Sequence, residues 1–273
     1  QVELFYADIS DIASLTNAIK KSEPDEIYNL ASQSHVSVSF DQPILTAQIT
    51  GIGALNLFET VRVNCPKARV YQASSSEMFG NMIDDDGFQR ETTPMNPASP
   101  YACSKVFAYH LARNYRTVYD MFISNGILFN HESPRRGTNF VTNKVCKQAV
   151  SIKYGLAEKL DLGSTAAVRD WGHAKDYVRA MWMVLQLEKP DDFVCATGIP
   201  NSVQEVVEHV FGRLDLDWKR YIDVDTRLLR PEQVYSRKGD SSKLRKATGW
   251  KPEYTFETML DEMVDHWLEI LKK

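Results

Sequence analysis

Val70-Tyr71-Gln72-Ala73-Ser74-Ser75-Ser76-Glu77-Met78-Phe79-Gly80 is a run rich in β-formers that ends in three hydroxyls and a carboxylate. It reads as a strand, over Ala68–Ala73, whose C-terminal end carries polar groups, the place where open α/β sheets bind ligands. Upstream, the pattern predicts a strand at Val2–Ile9, a helix from about Asp11 to Lys21, a strand at Glu26–Leu30 and a long helix over Thr46–Val63. Downstream, a polar loop through Asp84–Pro97 leads to a helix from Pro100 to about Tyr119 and a strand at Phe122–Phe129. Strands alternating with helices predict an α/β fold with a parallel sheet, because parallel neighbours need a crossover between them. After Asn130 the texture changes to a Pro/Arg/Gly segment, a helix near Asn139–Tyr154 and mixed short elements. This predicts a smaller second lobe interleaved with the first. Residues 1–130 with about 166–198 would form the sheet domain, and about 131–165 with 199–273 the smaller lobe.

The bulk numbers narrow the function. A chain of 273 residues, 43% apolar and 25% charged, suffices for one large domain or two moderate ones. A net charge of −4 gives no basic face for a nucleic acid or a membrane surface, so small-molecule chemistry is expected. Cys65, Cys103, Cys146 and Cys195 lie far apart with no CxxC pair, which argues against a disulfide framework or a metal site and fits a reducing cytoplasm. No run approaches the roughly 18 apolar residues of a membrane span.

Tyr101-Ala102-Cys103-Ser104-Lys105 sets a phenol and an ammonium four residues apart, on one face of a helix start. A phenol of solution pKa about 10 is a poor base at neutral pH, but a neighbouring cation favours its phenolate and makes it a usable proton acceptor. By chance alone YxxxK is common on helices. What raises it here is the Ser74-Ser75-Ser76-Glu77 turn two dozen residues earlier.

Here the chain resembles the GDP-mannose 4,6-dehydratases, of the extended short-chain dehydrogenase/reductase type. Ser74 to Gly80 is similar to that family's STSE-x-[YF]-G stretch, and Ser99-Pro100-Tyr101 with Lys105 to its SPY-x-x-x-K. Asn125 to Gly137 reads as its NGILFNHESPRRG, Arg169 to Val178 as its RDWGHAKDYV, and Asn29 to Val36 is similar to its NLAAQSHV. Arg230-Pro231-Glu232 and Gly249-Trp250-Lys251-Pro252 resemble its RPxE and GWKP. The likeness covers essentially the whole chain.

The resemblance implies a Rossmann-like doubly wound parallel sheet with a smaller C-terminal substrate lobe, NADP as cofactor and GDP-mannose as substrate. It implies Ser75, Glu77, Tyr101 and Lys105 as catalytic residues. Asp8, Ile9, Leu30, Ala31, Ser32, Gln33, Ser34, Lys105, His131 and Arg136 would meet NADP. Asn130, Val141, Lys144, Leu162, Gly163, Arg169, Arg230 and Glu232 would meet the sugar nucleotide. His173 and Asp176 read instead as helix-start structure. The product would be GDP-4-keto-6-deoxymannose, as in GDP-fucose or GDP-rhamnose biosynthesis, made by a cytoplasmic homodimer or homotetramer.

Three features depart from the family pattern. The chain opens without Met, inside an expected strand, and shows no GxxGxxG turn, so the first strand, glycine loop and helix are expected to be missing. Gly51-Ile52-Gly53, within the long helix, reads as a close-packing site. Ser75 replaces the family's usual Thr, and Leu45 a Tyr. Two rival readings share much of this sequence: a related nucleotide-sugar epimerase or reductase, which would not need Glu77, and an inactive remnant that binds without turnover.

Overall fold

The protein is described here by a computed structural model covering residues 2–225 and 238–272. Helix α1 (Ile12–Ser22) begins where the Asp11 carboxylate accepts the Ala13 and Ser14 N–H groups, and it leads to β1 (Glu26–Asn29). A helical run follows: α2 (Val36–Asp41), α3 (Pro43–Thr46), a π-helical turn over Ala47–Ile52 and α4 (Gly53–Asn64). Then come β2 (Arg69–Ser75), a 3₁₀ turn over Ser76–Phe79, α5 (Pro100–Tyr119) and β3 (Ile123–Leu128). The remainder comprises β4 (Asn130–Glu132), α6 (Val141–Lys153), β5 (Leu160–Leu162), β6 (Val168–His173), α7 (Ala174–Leu185), β7 (Asp192–Cys195), β8 (Pro200–Ser202), α8 (Val203–Arg213), β9 (Ile222–Val224), α9 (Ser242–Thr248) and α10 (Phe256–Leu271).

Strands β1, β2, β3 and β7 form one all-parallel sheet in the order β1-β2-β3-β7. Its faces follow from the alternation along β2. Val70 points to one side, into a cluster with Leu57, Phe58 and Val61 of α4, Ala108, Ala112 and Tyr115 of α5, and Ile123. Tyr71 and Ala73 point to the other, against Tyr177, Met181 and Val184 of α7 and Trp250. With helices on both faces, the strands carry apolar residues on both sides, as a doubly wound α/β sheet requires. Leu244 and Trp250, expected in the smaller lobe, pack on this sheet. A separate core joins α6, α8 and α10 around Val145, Val206, Phe211, Met259 and Met263. There β4 pairs with β6 in parallel, β6 with β8 antiparallel, and β5 with β9 in parallel.

The expected strand at Val2–Ile9 does not form. Residues 2–7 have no regular structure, and Leu4 and Tyr6 face solvent at 88% and 105% exposure, for want of a neighbouring strand among the described residues. The expected absence of a long apolar run also needs correction. The helical stretch Pro43–Asn64, 22 residues long with an 18-residue window of mean hydropathy 1.2, is long and apolar enough to span a membrane by length and composition alone. Its apolar face instead packs on α1 and α5, with Leu57, Phe58 and Val61 inside the core. Gly51 and Gly53 do mark close approaches, since a Cβ on Gly53 would lie 2.8 Å from Ile9 Cγ2 and one on Gly51 3.2 Å from Phe107 Cδ1.

Gly126 in β3 sits against the ring of Tyr71 on β2, where an added Cβ would lie 1.8 Å from the Tyr71 hydroxyl. Gly126→Ala is therefore expected to destabilise the protein by roughly 1–3 kcal/mol through overpacking. Chemical denaturation checks this, and an unchanged midpoint would contradict the packing described.

Candidate functional site

Strand β2 delivers its polar end to a sharply constrained turn. Ser75 Oγ accepts the Glu77 N–H at 3.2 Å and caps the 3₁₀ turn, which buries Met78 and Phe79. The turn closes at Gly80, whose φ of 57° and 2.0 Å clearance from a hypothetical Cβ to the Asn96 carbonyl oxygen admit only glycine. The Asn96 N–H donates to the Met78 carbonyl at 3.0 Å, bringing the returning loop back to the strand end. Ser99 then caps α5 by accepting the Ala102 N–H at 3.1 Å, with Pro100 in the first helical position.

This path buries Tyr101 and Lys105 on the helix face toward the sheet. Lys105 Nζ donates to the Ala73 carbonyl at 2.8 Å and lies 5.8 Å from the centroid of the Tyr101 ring. Burial pulls the ammonium down to a pKa of about 8. The 3₁₀ turn bearing Glu77 packs against α5, so the four residues expected to be catalytic gather at the end of one strand and the start of one helix.

The residues expected at the cofactor fall on three segments. Asp8 is exposed, and its carboxylate accepts from the Ser10 hydroxyl and N–H at 2.6 and 2.8 Å; these bonds, the hydroxyl's first, hold it below its ordinary pKa. Ile9 lies against Gly53. Leu30 and Ala31 are exposed just past β1. Ser32 Oγ and the Gln33 N–H bond to Thr50 Oγ1, at 2.9 and 3.2 Å. The Gln33 side chain turns inward, donating to Thr46 Oγ1 at 3.0 Å and accepting the His35 N–H at 2.7 Å, while Ser34 stays exposed. Gln33 thus holds the loop, and only its neighbours present side chains outward.

The third segment follows β3. His131 Nδ1 lies 2.9 Å from the Phe129 carbonyl, which can only accept; Nδ1 therefore carries the proton and Nε2 is the acceptor. The ring stacks on Tyr177 at 4.7 Å, and burial pushes its pKa down to about 4, so it stays neutral. Arg136 Nε stands 3.1 Å from Glu132 Oε2, and its guanidinium lies 3.4 Å over the Phe140 ring. Burial raises the Glu132 pKa, opposed by the Arg136 charge and by the Thr142 hydroxyl at 2.7 Å. Phe140 also meets His35, ring centroids 5.7 Å apart, which joins this segment to the loop after β1. Glu132 and Phe140 were not singled out in the sequence; a carboxylate and an aromatic residue each four positions from Arg136 were the available signal.

Among residues expected at the sugar nucleotide, Asn130 is half-buried on β4 and Val141 opens α6. Lys144 Nζ donates to the Asp161 carbonyl at 2.7 Å, which brings it to β5 beside Leu162 and Gly163. The Leu162 side chain enters the core and its carbonyl accepts the Asp225 N–H at 2.9 Å, so only backbone is on offer there. Arg169, on β6, donates to its neighbour's Val168 carbonyl at 2.7 Å. Arg230 and Glu232 lie outside the described residues. His173 and Asp176 are structural: His173 Nδ1 caps α7 by accepting the Lys175 N–H at 3.0 Å, and Asp176 accepts the Glu253 and Tyr254 N–H groups at 3.0 and 3.1 Å. Leu45 is half-exposed on α3.

A YxxxK helix packed over the end of a parallel doubly wound sheet defines a short-chain dehydrogenase/reductase. Solved structures agree on the fold: RMD from Pseudomonas aeruginosa complexed with NADPH superposes with a TM-score of 0.89 at 24% identity, over 98% of this chain and 89% of that one. The dTDP-glucose 4,6-dehydratase of Bacillus anthracis in complex with NAD gives 0.82 at 26% identity, over 97% and 78%. A family model described as GDP-mannose 4,6 dehydratase matches residues 1–263. The chain is 50% identical to GDP-mannose 4,6 dehydratase 2 of Arabidopsis thaliana, over 100% of this chain and 73% of that protein. It is 42% identical to the Homo sapiens GDP-mannose 4,6 dehydratase, over 99% and 77%. The chain belongs to the GDP-mannose 4,6-dehydratase family.

The depressed Lys105 pKa carries a stability signature. Below about 8 the folded state holds a buried cation, and between about 8 and the ordinary 10.5 the unfolded chain binds the proton more tightly, so this group's contribution to stability rises with pH across that window. Lys105→Met is expected to be more stable than the parent at pH 7, with the gain shrinking as pH passes through the window. Denaturation midpoints against pH check this; a constant gain would contradict it.

Proposed function

We propose that the protein converts GDP-mannose to GDP-4-keto-6-deoxymannose and water. The observation that carries this reading is Lys105, buried and bonded to the Ala73 carbonyl beside Tyr101, with Glu77 at the end of the same strand. The sequence relatives at 50% and 42% identity support the substrate.

The residues present fit NADP. Arg136 Nε is buried against Glu132 Oε2 at 3.1 Å, an ion pair that orients the guanidinium, whose remaining fork is suited to phosphate. His131 Nε2 is an available acceptor, Lys105 would meet the nicotinamide ribose, and Asp8 and Ile9 the adenine end. Bound there, the nicotinamide supplies a reversible hydride store, so the reaction has no net redox.

Tyr101, with the Lys105 ammonium favouring its phenolate, takes the proton from the C4 hydroxyl as that carbon is oxidised. Ser75 is the hydroxyl at the strand end that would bond the C4 oxygen. The C4 ketone acidifies C5–H, and Glu77 removes that proton and then protonates the departing C6 hydroxyl, which leaves as water. Reduction at C6 with reprotonation at C5 completes the product. Glu77 separates this reading from an epimerase or reductase, which needs no group for elimination. Asn130, Val141, Lys144, Gly163 and Arg169, with Arg230 and Glu232, are proposed to hold the GDP moiety. Cys65, Cys103, Cys146 and Cys195 are all unpaired, as a cytoplasmic protein permits, and exposed Val63, Phe107, Val118 and Tyr119 on α4 and α5 are compatible with a homodimer or homotetramer.

Assayed with GDP-mannose and NADP⁺, Glu77→Gln is expected to keep cofactor affinity, lose turnover by a factor on the order of 10²–10⁴ and stall before water is released. Product analysis by mass checks this; turnover equal to the parent's would remove Glu77 from the mechanism.

A further inference from the structure

The four strands of the main sheet carry a row of buried polar side chains in register: Asn29 beside Gln72, Gln72 beside Asn125, and Asn125 beside Asp192. The row divides into two halves. Asn125 Nδ2 donates to Asp192 Oδ1 at 2.8 Å and the Tyr109 carbonyl at 3.3 Å, and the Tyr109 hydroxyl donates to Asp192 Oδ2 at 3.1 Å. That half fastens the middle of α5 to the sheet.

The other half runs to the site. The Ala31 N–H donates to Asn29 Oδ1 at 3.3 Å, and Asn29 Nδ2 donates to Gln72 Oε1 at 2.7 Å. Gln72 Nε2 in turn donates to the Ala73 carbonyl at 3.2 Å, the oxygen that also accepts Lys105 Nζ. Each amide has one donor end and one acceptor end, so the backbone N–H on Asn29 orients that side chain, and Asn29 orients Gln72. Asn29 and Gln72 are 5% and 1% exposed, so water offers no ready substitute for a broken link. The β1–β2 ladder ends at the pair Asn29 and Gln72, one residue short of Ala73. Beyond that pair, the Ala73 carbonyl takes its partners from side chains.

We propose that Gln72, oriented by Asn29, is a positioning residue: it fixes the Ala73 carbonyl that places the Lys105 ammonium and links Lys105 to the Leu30–Ser34 segment. The inference rests on the proposed dehydratase reading, in which that segment borders the cofactor and Lys105 serves Tyr101. It gives the otherwise costly amide pair beneath α5 a task. A displacement of the loop at Ala31 is transmitted to the ammonium through four oriented hydrogen bonds.

Gln72→Met keeps the side-chain length and removes both the donor to the Ala73 carbonyl and the acceptor for Asn29. In the ligand-free protein, the Lys105 ¹³Cε resonance is expected to titrate at lower pH than in the parent, because a less firmly held carbonyl stabilises the ammonium less. With GDP-mannose and NADP⁺, kcat is expected to fall on the order of tenfold while KM for GDP-mannose stays within about twofold. An unmoved Lys105 titration, an unmoved kcat, or a loss confined to KM overturns the proposal. If the parent protein itself fails to turn over GDP-mannose, the functional reading falls, and the Lys105 titration alone decides the relay. Should Gln72→Met not fold, Asn29→Leu breaks the chain one link further away. It should move the titration in the same direction by less, and a titration like the parent's overturns the relay.

Discussion

Lys105 places its ammonium 2.8 Å from the Ala73 carbonyl, at the point where the β1–β2 ladder stops. A cation this buried is tolerable only with a firm acceptor, and a backbone carbonyl at a strand end provides one. Much of the surrounding structure serves that contact. The Ser99 cap and Pro100 start α5 where Lys105, one turn in, reaches the strand. Gly80 allows the chain to leave β2 and return, and the two helical layers keep water away from the meeting point.

A second buried charge mirrors the first. Glu132, 1% exposed, faces Arg136 and Thr142, and Arg136 lies flat on Phe140. Breaking such a pair leaves a charge uncompensated in a dry place, so the guanidinium is held in one orientation. Through Phe140 and His35 this arrangement touches the loop after β1, and through Asn29 and Gln72 that loop touches Lys105. A chain of ring contacts and hydrogen bonds thus runs along the sheet end, with Arg136 at one side and Lys105 at the other.

The strand, turn and helix from β2 to α5 were legible because their local signals agree: β-formers, then a hydroxyl-rich end, a glycine, and a Ser-Pro helix start. The YxxxK pair followed from helical spacing together with the hydroxyl-rich turn before it. The residues between the signals were harder. Val2–Ile9 has the composition of a strand but no partner strand beside it among the described residues, and pairing is a property of two segments. Gln33 and Leu162 were both expected at ligands, yet one spends its amide on the loop and the other fills the core. Asn29 and Gln72 fall inside the expected strands Glu26–Leu30 and Ala68–Ala73, where nothing in the sequence marks either of them for a role. Their purpose emerges only when parallel pairing sets them side by side, 43 residues apart in the chain.

The central claim is that this strand end runs a closed redox cycle on one sugar, with Lys105 and Tyr101 opening it and Glu77 driving the elimination. The direct measurement is the fate of a deuterium placed at C4 of GDP-mannose and incubated with the protein and NADP⁺. The account predicts a 4-keto-6-deoxy product that carries the label at C6. Product without deuterium at C6, or the label recovered in a 4-hydroxy epimer, would contradict it.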